Sequence, residues 1–133
     1  MKVLLDSNII ISALLYRGKS IIHFLDVASL EHELVISSTI IDEVKDVLGR
    51  KDKHVLAILD KFFNLYRFIK VDVSIDNTLE IDIRDPQDRH VVISALASGA
   101  DVLVTGDKDF FDKKYAIEIL TPSEFLSKYT TRR

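Results

Sequence analysis

The sequence has no cysteine among its 133 residues, only four glycines, and no apolar run of the roughly 20 residues that a membrane span needs. Without cysteine the chain can form no disulfide, no thiolate nucleophile and no cysteine-based zinc or iron–sulfur site. The glycines, at positions 18, 49, 99 and 106, are too scattered to form the clustered turn that binds a dinucleotide. Any chemistry therefore uses oxygen and nitrogen, and we expect no insertion into a membrane.

The composition is that of one globular domain, because 47% of the residues are hydrophobic and 29% are charged. We predict a single domain over residues 1–133, with a frayed tail from about residue 129. The start leads directly into a strand pattern rather than a signal peptide, which predicts a cytoplasmic location. The net charge of −3 gives no overall attraction to nucleic acid, although local basic patches are compatible with it.

Short apolar runs alternate with helical patterns along the chain. Strands are predicted at residues 2–6, 34–37, 67–73, 101–105 and 116–120. Helices are predicted from a cap at Ser7-Asn8, with a break at Gly18, at residues 38–48 and at residues 52–66. Residues 74–85 are predicted to be mostly loop. This alternation indicates an α/β fold with a parallel sheet covered on both faces, whose ligands collect beyond the carboxyl ends of the strands.

Two further helices have clear start signals. Asp85 can cap a helix whose first residue is Pro86, and this helix should end near Gly99. Thr121-Pro122-Ser123-Glu124 is a capping box with proline at the first helical position. The chain therefore predicts a buried helix before the strand at 101–105 and a helix at its end.

Two predicted strands end on acidic residues. Asp6 follows the apolar start "MKVLL", and Asp107 and Asp109 follow "DVLVTG". Because parallel strands bring their carboxyl ends to one edge, these carboxylates are expected to share a site. Structural alternatives exist, since Asp6 can cap a helix and Asp107 can belong to a polar turn.

Two helical acids are candidates for the same site. Glu43 lies at the rim of an apolar helix face, whereas Asp42 and Asp46 point away from it and are interpreted as solvated charges. Asp88 occupies the third position of the helix that Asp85 caps, where a carboxylate also gains from the helix dipole. The structural alternative for Glu43 is a surface role. For Asp85 and Asp88 it is a capping role.

Several carboxylates that converge without basic partners repel one another unless they are protonated or bind cations. Oxygen ligands suit Mg²⁺ or Mn²⁺ rather than zinc. Such cations polarise a phosphodiester and lower the pKa of the attacking water. The carboxylates therefore favour metal-assisted phosphodiester hydrolysis.

The segments "LLDSN", "EV" at residues 43–44, "RDPQDRHVVISALASGADVLVTGDKDF" and "ILTPSEFL" together resemble the PIN-domain ribonucleases. More narrowly, they resemble the compact prokaryotic PIN proteins treated as toxins of type II toxin–antitoxin pairs. The resemblance extends to about Tyr129. Each motif alone is weakly specific, whereas their order and spacing are strongly specific.

The resemblance implies a three-layer αβα sandwich with a central, mainly parallel sheet. It also implies Mg²⁺- or Mn²⁺-dependent endoribonuclease activity on single-stranded RNA, inhibition by a separately encoded antitoxin, and a homodimer. The residues that it assigns as catalytic metal ligands are Asp6, Glu43, Asp88 and Asp107. The residues that it places in support are Ser7, where the family often has threonine, Asn8, Asp85, Thr105 and Asp109. The doubled acid "DPQD" leaves the choice between its two aspartates open.

Other charged residues give weaker signals. Arg84, Arg89 and Lys108 flank the acidic motifs and are candidates for RNA contact. The four histidines show no metal-ligand pairing, and we interpret all of them, including His90 near the proposed site, as structural or surface residues.

Two other functions are alternatives to a nuclease. An aspartyl-phosphate phosphatase would use Asp6 as nucleophile, but Asn8 occupies the place of the second acid that such enzymes need. A non-catalytic PIN-like module that binds RNA or protein is the main alternative. The presence of all four carboxylates favours the nuclease.

Overall fold

The structure, a computed structural model, describes residues 1–73, 86–107 and 117–131, with the backbone alone at positions 86–88. Its centre is a sheet of five strands: β1 (Lys2–Leu5), β2 (Glu33–Ser37), β3 (Ile69–Val71), β4 (Val102–Val104) and β5 (Glu118–Leu120). The strand order is β3-β2-β1-β4-β5, and each neighbouring pair is parallel. The predicted α/β fold with a parallel central sheet is confirmed.

Helices flank the sheet. In the described part of the chain they are α1 (Ser7–Leu15), α2 (Lys19–Glu31), α3 (Ser38–Lys51), α4 (Lys53–Ala57), α5 (Leu59–Leu65), α6 (Pro86–Ala97) and α7 (Pro122–Tyr129). Both α1 and α6 contact α3, whereas α2 contacts α7. This packing explains why the strands between them are apolar along almost their whole length.

The core combines the central strands with the inner faces of the helices. In β4 all three residues are buried, and in β1 and β2 all but the first are. Phe24 of α2 and Phe125 of α7 are fully buried and meet edge to face, with ring centroids 5.8 Å apart. Phe62 and Phe63 of α5 belong to the same hydrophobic cluster.

Several helix ends differ from the prediction. The cap of α1 is Asp6 rather than Ser7 or Asn8, because the Asp6 side chain accepts a hydrogen bond from the Ser7 N–H. The helix predicted at residues 38–48 continues through Gly49 to Lys51. Among the described glycines only Gly99 has the positive φ, 71°, that ends a helix with a left-handed residue.

The predicted helix at 52–66 is two short helices, with the break at Ile58. Asp52 separates the first of them from α3, because its N–H donates to Leu48 and its side chain accepts from the His54 N–H. The predicted break at Gly18 is confirmed, since Gly18 precedes α2. So is the capping box at Thr121 and Glu124.

The connection from β3 to β4 places β4 on the other side of β1 from β2. The strand order therefore reverses at β1 and β4, and in such sheets ligands bind beyond the carboxyl ends of the strands at this switch point. Asp6 follows β1 and Thr105 follows β4 there. The fold itself thus marks the place where the first predicted acid lies.

At the other end of the chain, part of the predicted frayed tail is held in place. Tyr129 ends α7, the Thr130 hydroxyl donates to the Leu126 carbonyl at 2.7 Å, and the Thr131 hydroxyl donates to Glu31 at 2.7 Å. Residues 132–133, like the predicted loop at 74–85, lie outside the described residues. None of the helices in the described ranges has the length and apolar character of a membrane span.

Candidate active site

Asp6 lies at the junction of β1 and α1 and is only 5% exposed. Its N–H continues the sheet by donating to the Val104 carbonyl at 3.0 Å. Of its carboxylate oxygens, Oδ1 accepts from the Ser7 N–H and Oδ2 accepts from the Thr105 hydroxyl, both at 2.7 Å. The capping role is therefore present, but it involves only one of the two oxygens.

A polar turn after β4 connects Asp6 to Asp107. The Thr105 hydroxyl oxygen accepts from the Asp107 N–H at 3.0 Å and from the Asn8 side chain at 3.4 Å. In return, the Gly106 N–H donates to the Asn8 side-chain oxygen at 3.4 Å. These contacts fix the start of α1 against the end of β4, and they place the partly buried Asp107 beside the first acid.

Glu43 approaches from α3. Its neighbours Ile40 and Val44 are fully buried, so Glu43 lies at the rim of the helix with its side chain 31% exposed. The Ser7 hydroxyl donates to Oε1 of Glu43, and the ring atom Nε2 of His90 lies 2.5 Å from Oε2. Both oxygens of Glu43 therefore have a partner, each from a different helix.

The pKa values of these acids move in opposite directions. Burial is the main cause that raises the pKa of Asp6; hydrogen bonds from Thr105 and Ser7 oppose it, and the charges of Glu43 and Asp107 add to it. The hydrogen bond from His90 is the main cause that lowers the pKa of Glu43. Asp6 thus carries an unfavourable charge that nearby acids make worse, whereas Glu43 is stabilised as a carboxylate.

The carboxylate oxygens of Asp6 and the neighbouring acids are suited to bind a hard divalent cation. Asp6 is buried and has no basic side chain in contact with it among the described residues, and the neighbouring acids raise its pKa. A cation would relieve this repulsion, and carboxylate oxygens are the ligands that Mg²⁺ and Mn²⁺ prefer. The described side chains do not by themselves form a group of three or more metal-holding residues.

Of the predicted site residues, the structure brings together Asp6, Ser7, Asn8, Glu43, Thr105 and Asp107. Arg89 lies partly buried in the first turn of α6. The backbone of Asp88 lies in the same turn, at the third helical position that the sequence predicted. The other predicted side chains lie outside the described residues: Arg84, Asp85, Asp88, Lys108 and Asp109.

His90 is absent from the residues predicted for the site, yet it contacts Glu43 directly. The other described histidines have no such contact; Nε2 of His32, for example, lies 2.8 Å from the Tyr129 carbonyl oxygen. The sequence signal that could have identified His90 is its position, two residues after Asp88 and immediately before the buried run that starts at Val91. The pairing itself depends on how α6 packs against α3.

Fold and site together define an α/β protein with an acidic site at the switch point of a parallel sheet. The sequence matches the family model of the PIN domain over residues 2–109, and the chain belongs to this family. The matched region contains all four predicted acids. No curated protein sequence matches the chain significantly.

Two solved structures have a similar fold. One is the crystal structure of VapBC2 from Rickettsia felis bound to a DNA fragment from their promoter, with 21% identity and a TM-score of 0.71 over 90% of this chain and 97% of that chain. The other is the crystal structure of DNA-bound VapBC from Salmonella typhimurium, with 18% identity and a TM-score of 0.68 over 92% of this chain and 98% of that one. At these identities the likeness concerns the fold.

Proposed function

We propose that the chain is a divalent-metal-dependent endoribonuclease that cleaves single-stranded RNA, and that it is the toxin of a toxin–antitoxin pair. The observation that carries the proposal is the burial of Asp6 at the switch point, with Glu43 and Asp107 close enough to raise its pKa. Membership of the PIN family and the likeness to chains of VapBC toxin–antitoxin complexes support it.

The proposed ligands are Asp6, Glu43, Asp88 and Asp107, holding Mg²⁺ or Mn²⁺ directly or through water. A bound divalent cation would polarise the phosphodiester and lower the pKa of the attacking water. No side chain of the protein then needs to act as nucleophile.

Neighbouring residues orient the proposed ligands through hydrogen bonds. Thr105 donates to one oxygen of Asp6, and Ser7 bonds both Asp6 and Glu43, so the two acids are oriented by a shared neighbour. Asn8 joins the turn after β4 to the start of α1. Rigid placement of this kind is what a site for phosphoryl chemistry requires. We assign Asp85 and Asp109 as supporting residues from the sequence.

The polymer substrate and the partners follow from the same proposal. Arg89 in the first turn of α6, with Arg84 and Lys108, would steer the phosphate backbone toward the acids. The VapBC likeness supports a protein antitoxin as partner. We also propose a homodimer and a cytoplasmic location, as expected from the sequence.

Cleavage of a labelled single-stranded RNA tests the proposal. Purified wild type should cut the RNA with Mn²⁺ and should not cut it with EDTA, and Asp6→Asn should be inactive with Mn²⁺. Loss of one such ligand should lower the rate by a factor on the order of 10² or more, because several kcal/mol of charge stabilisation disappear.

Asp101→Asn is the matched control. Asp101 is an exposed aspartate at the opposite edge of the sheet, where its side chain accepts from the Lys2 N–H at 2.8 Å, and an amide oxygen can accept the same bond. This variant, purified identically, should cut like wild type, which excludes a contaminating ribonuclease as the source of a difference. Equal cutting by Asp6→Asn, or no cutting by folded, antitoxin-free wild type, would overturn the proposal.

A further inference from the structure

We propose that His90 is a positioning residue that orients the carboxylate of Glu43 toward the cation site. The inference rests on the proposed function, because it concerns how one of the proposed ligands is held. It adds a residue that lies outside the four acids and contacts only one of them in the described structure.

The contact geometry indicates a built connection rather than a chance surface pair. His90 Nε2 and Glu43 Oε2 are 2.5 Å apart, and the side chains are only 16% and 31% exposed. The two residues are 47 positions apart in sequence and belong to α6 and α3. A charge-assisted bond this short and this shielded from water restricts both side chains.

The direction of the hydrogen bond follows from the chemistry of the two groups. A carboxylate only accepts, so Nε2 must carry the hydrogen. The other ring nitrogen, Nδ1, is buried and has no hydrogen-bond partner among the described residues. The ring is therefore held at its Nε2 end, by Glu43.

The contact with His90 helps to fix the orientation of the Glu43 carboxylate. The Ser7 hydroxyl holds Oε1 and His90 holds Oε2, so the plane of the carboxylate is fixed from two sides. Each oxygen retains a second lone pair that can face a cation. Without His90, the partly exposed end of Glu43 would rotate about its last torsion, which is broad for glutamate, and water would take the free lone pair.

Mn²⁺ binding without RNA, measured by calorimetry or electron paramagnetic resonance, tests this role. His90→Phe keeps a ring of similar size but has no donor, and it should weaken Mn²⁺ binding by about 10- to 100-fold, as expected for loss of an outer partner of a ligand. His90→Gln keeps an N–H donor and should recover most of the lost affinity. In a Glu43→Gln background, His90→Phe should cause no further loss, because the residue acts through Glu43.

Ser94→Ala is the matched control for helix packing. Ser94 is also on α6 and bonds Ser37 and Thr39 at the start of α3, both at 2.9 Å, but it does not contact Glu43. This variant should loosen the same pair of helices while it leaves Mn²⁺ affinity unchanged. In cleavage assays, raising the Mn²⁺ concentration should restore the rate of His90→Phe, which damage to the fold would not allow.

The outcomes separate this inference from the proposed function. Weaker Mn²⁺ binding by Glu43→Gln together with unchanged binding by folded His90→Phe would overturn the role of His90 alone. Additive losses in the double variant would overturn it as well. Equal Mn²⁺ affinity of wild type and Glu43→Gln would refute the metal role of Glu43 in the proposed function, and the role of His90 would fall with it.

Discussion

Asp6→Asn should make the metal-free protein more stable while it abolishes catalysis. The new amide keeps an oxygen that accepts from the Ser7 N–H, but its nitrogen faces the Thr105 hydroxyl, whose oxygen already accepts from Asp107 and Asn8, so this second contact is lost. The lost bond, together with the lost charge assistance of the other one, weakens the fold by roughly 1 to 3 kcal/mol. Against this, the variant no longer buries a carboxylate, a penalty of several kcal/mol.

The balance favours the variant because burial outweighs the hydrogen bonds in setting the pKa of Asp6, and Glu43 and Asp107 add repulsion. We expect an increase in the free energy of unfolding on the order of 1 to 2 kcal/mol at pH 7.5 in EDTA. The melting temperature should rise by about 3 to 8 °C for a domain of this size. Circular dichroism during thermal and urea unfolding measures both quantities.

The pH dependence of this difference follows from the direction of the pKa shift. The pKa of Asp6 is raised in the folded protein, so the wild type loses stability as the pH rises from the unfolded-state pKa through the folded-state pKa. The advantage of Asp6→Asn should therefore be absent in acid below the unfolded-state pKa. It should grow as the pH rises through this window and stay constant above it.

Mn²⁺ should reverse the order of stability. At a concentration 100 times its dissociation constant, a bound ion stabilises the wild type by about 2.7 kcal/mol, and the variant should gain much less. A variant that is less stable than wild type in EDTA, or one that gains as much from Mn²⁺, would refute the assignment of Asp6.

Three further predictions concern the scaffold and are measured by urea unfolding at neutral pH. Ser94→Ala removes the buried hydroxyl that bonds Ser37 and Thr39, and the variant should have a free energy of unfolding lower by about 1 to 2 kcal/mol. An unchanged free energy of unfolding would mean that the hydroxyls of Ser37 and Thr39 pair equally well without Ser94. Phe125→Ala empties a fully buried position and should lower this free energy by about 3 to 5 kcal/mol, whereas a loss below about 1 kcal/mol would contradict the packing of α7. Thr121→Ala removes the capping box and should reduce stability by about 1 kcal/mol, with Thr121→Ser as the control that retains it.

The sheet and the position of its acids were predictable because they depend on local sequence. Continuous apolar runs defined β1, β2 and β4, and parallel strands place their carboxyl ends at one edge, so Asp6 and Asp107 were expected to be close. The rim position of Glu43 followed from helical periodicity, as did the exposure of Asp42 and Asp46, which is confirmed.

Features that depend on long-range packing were not predictable in the same way. The contact between Glu43 and His90 requires α6 to lie against α3, and no local pattern specifies this pairing. Helix ends were missed for a related reason. Gly49 is a common end signal, but α3 continues beyond it, and Asp52 separates α3 from α4 through its own hydrogen bonds.

If Asp6, Glu43, Asp88 and Asp107 hold a divalent cation as we propose, anomalous diffraction from crystals soaked in Mn²⁺ should locate the ion among them. We expect an anomalous peak with an oxygen of Asp6 or Asp107 at about 2.1 Å, as is usual for a hard divalent ion with oxygen ligands, and no peak in crystals of Asp6→Asn. A peak elsewhere on the protein, or an unchanged peak in the variant, would contradict the proposed metal site.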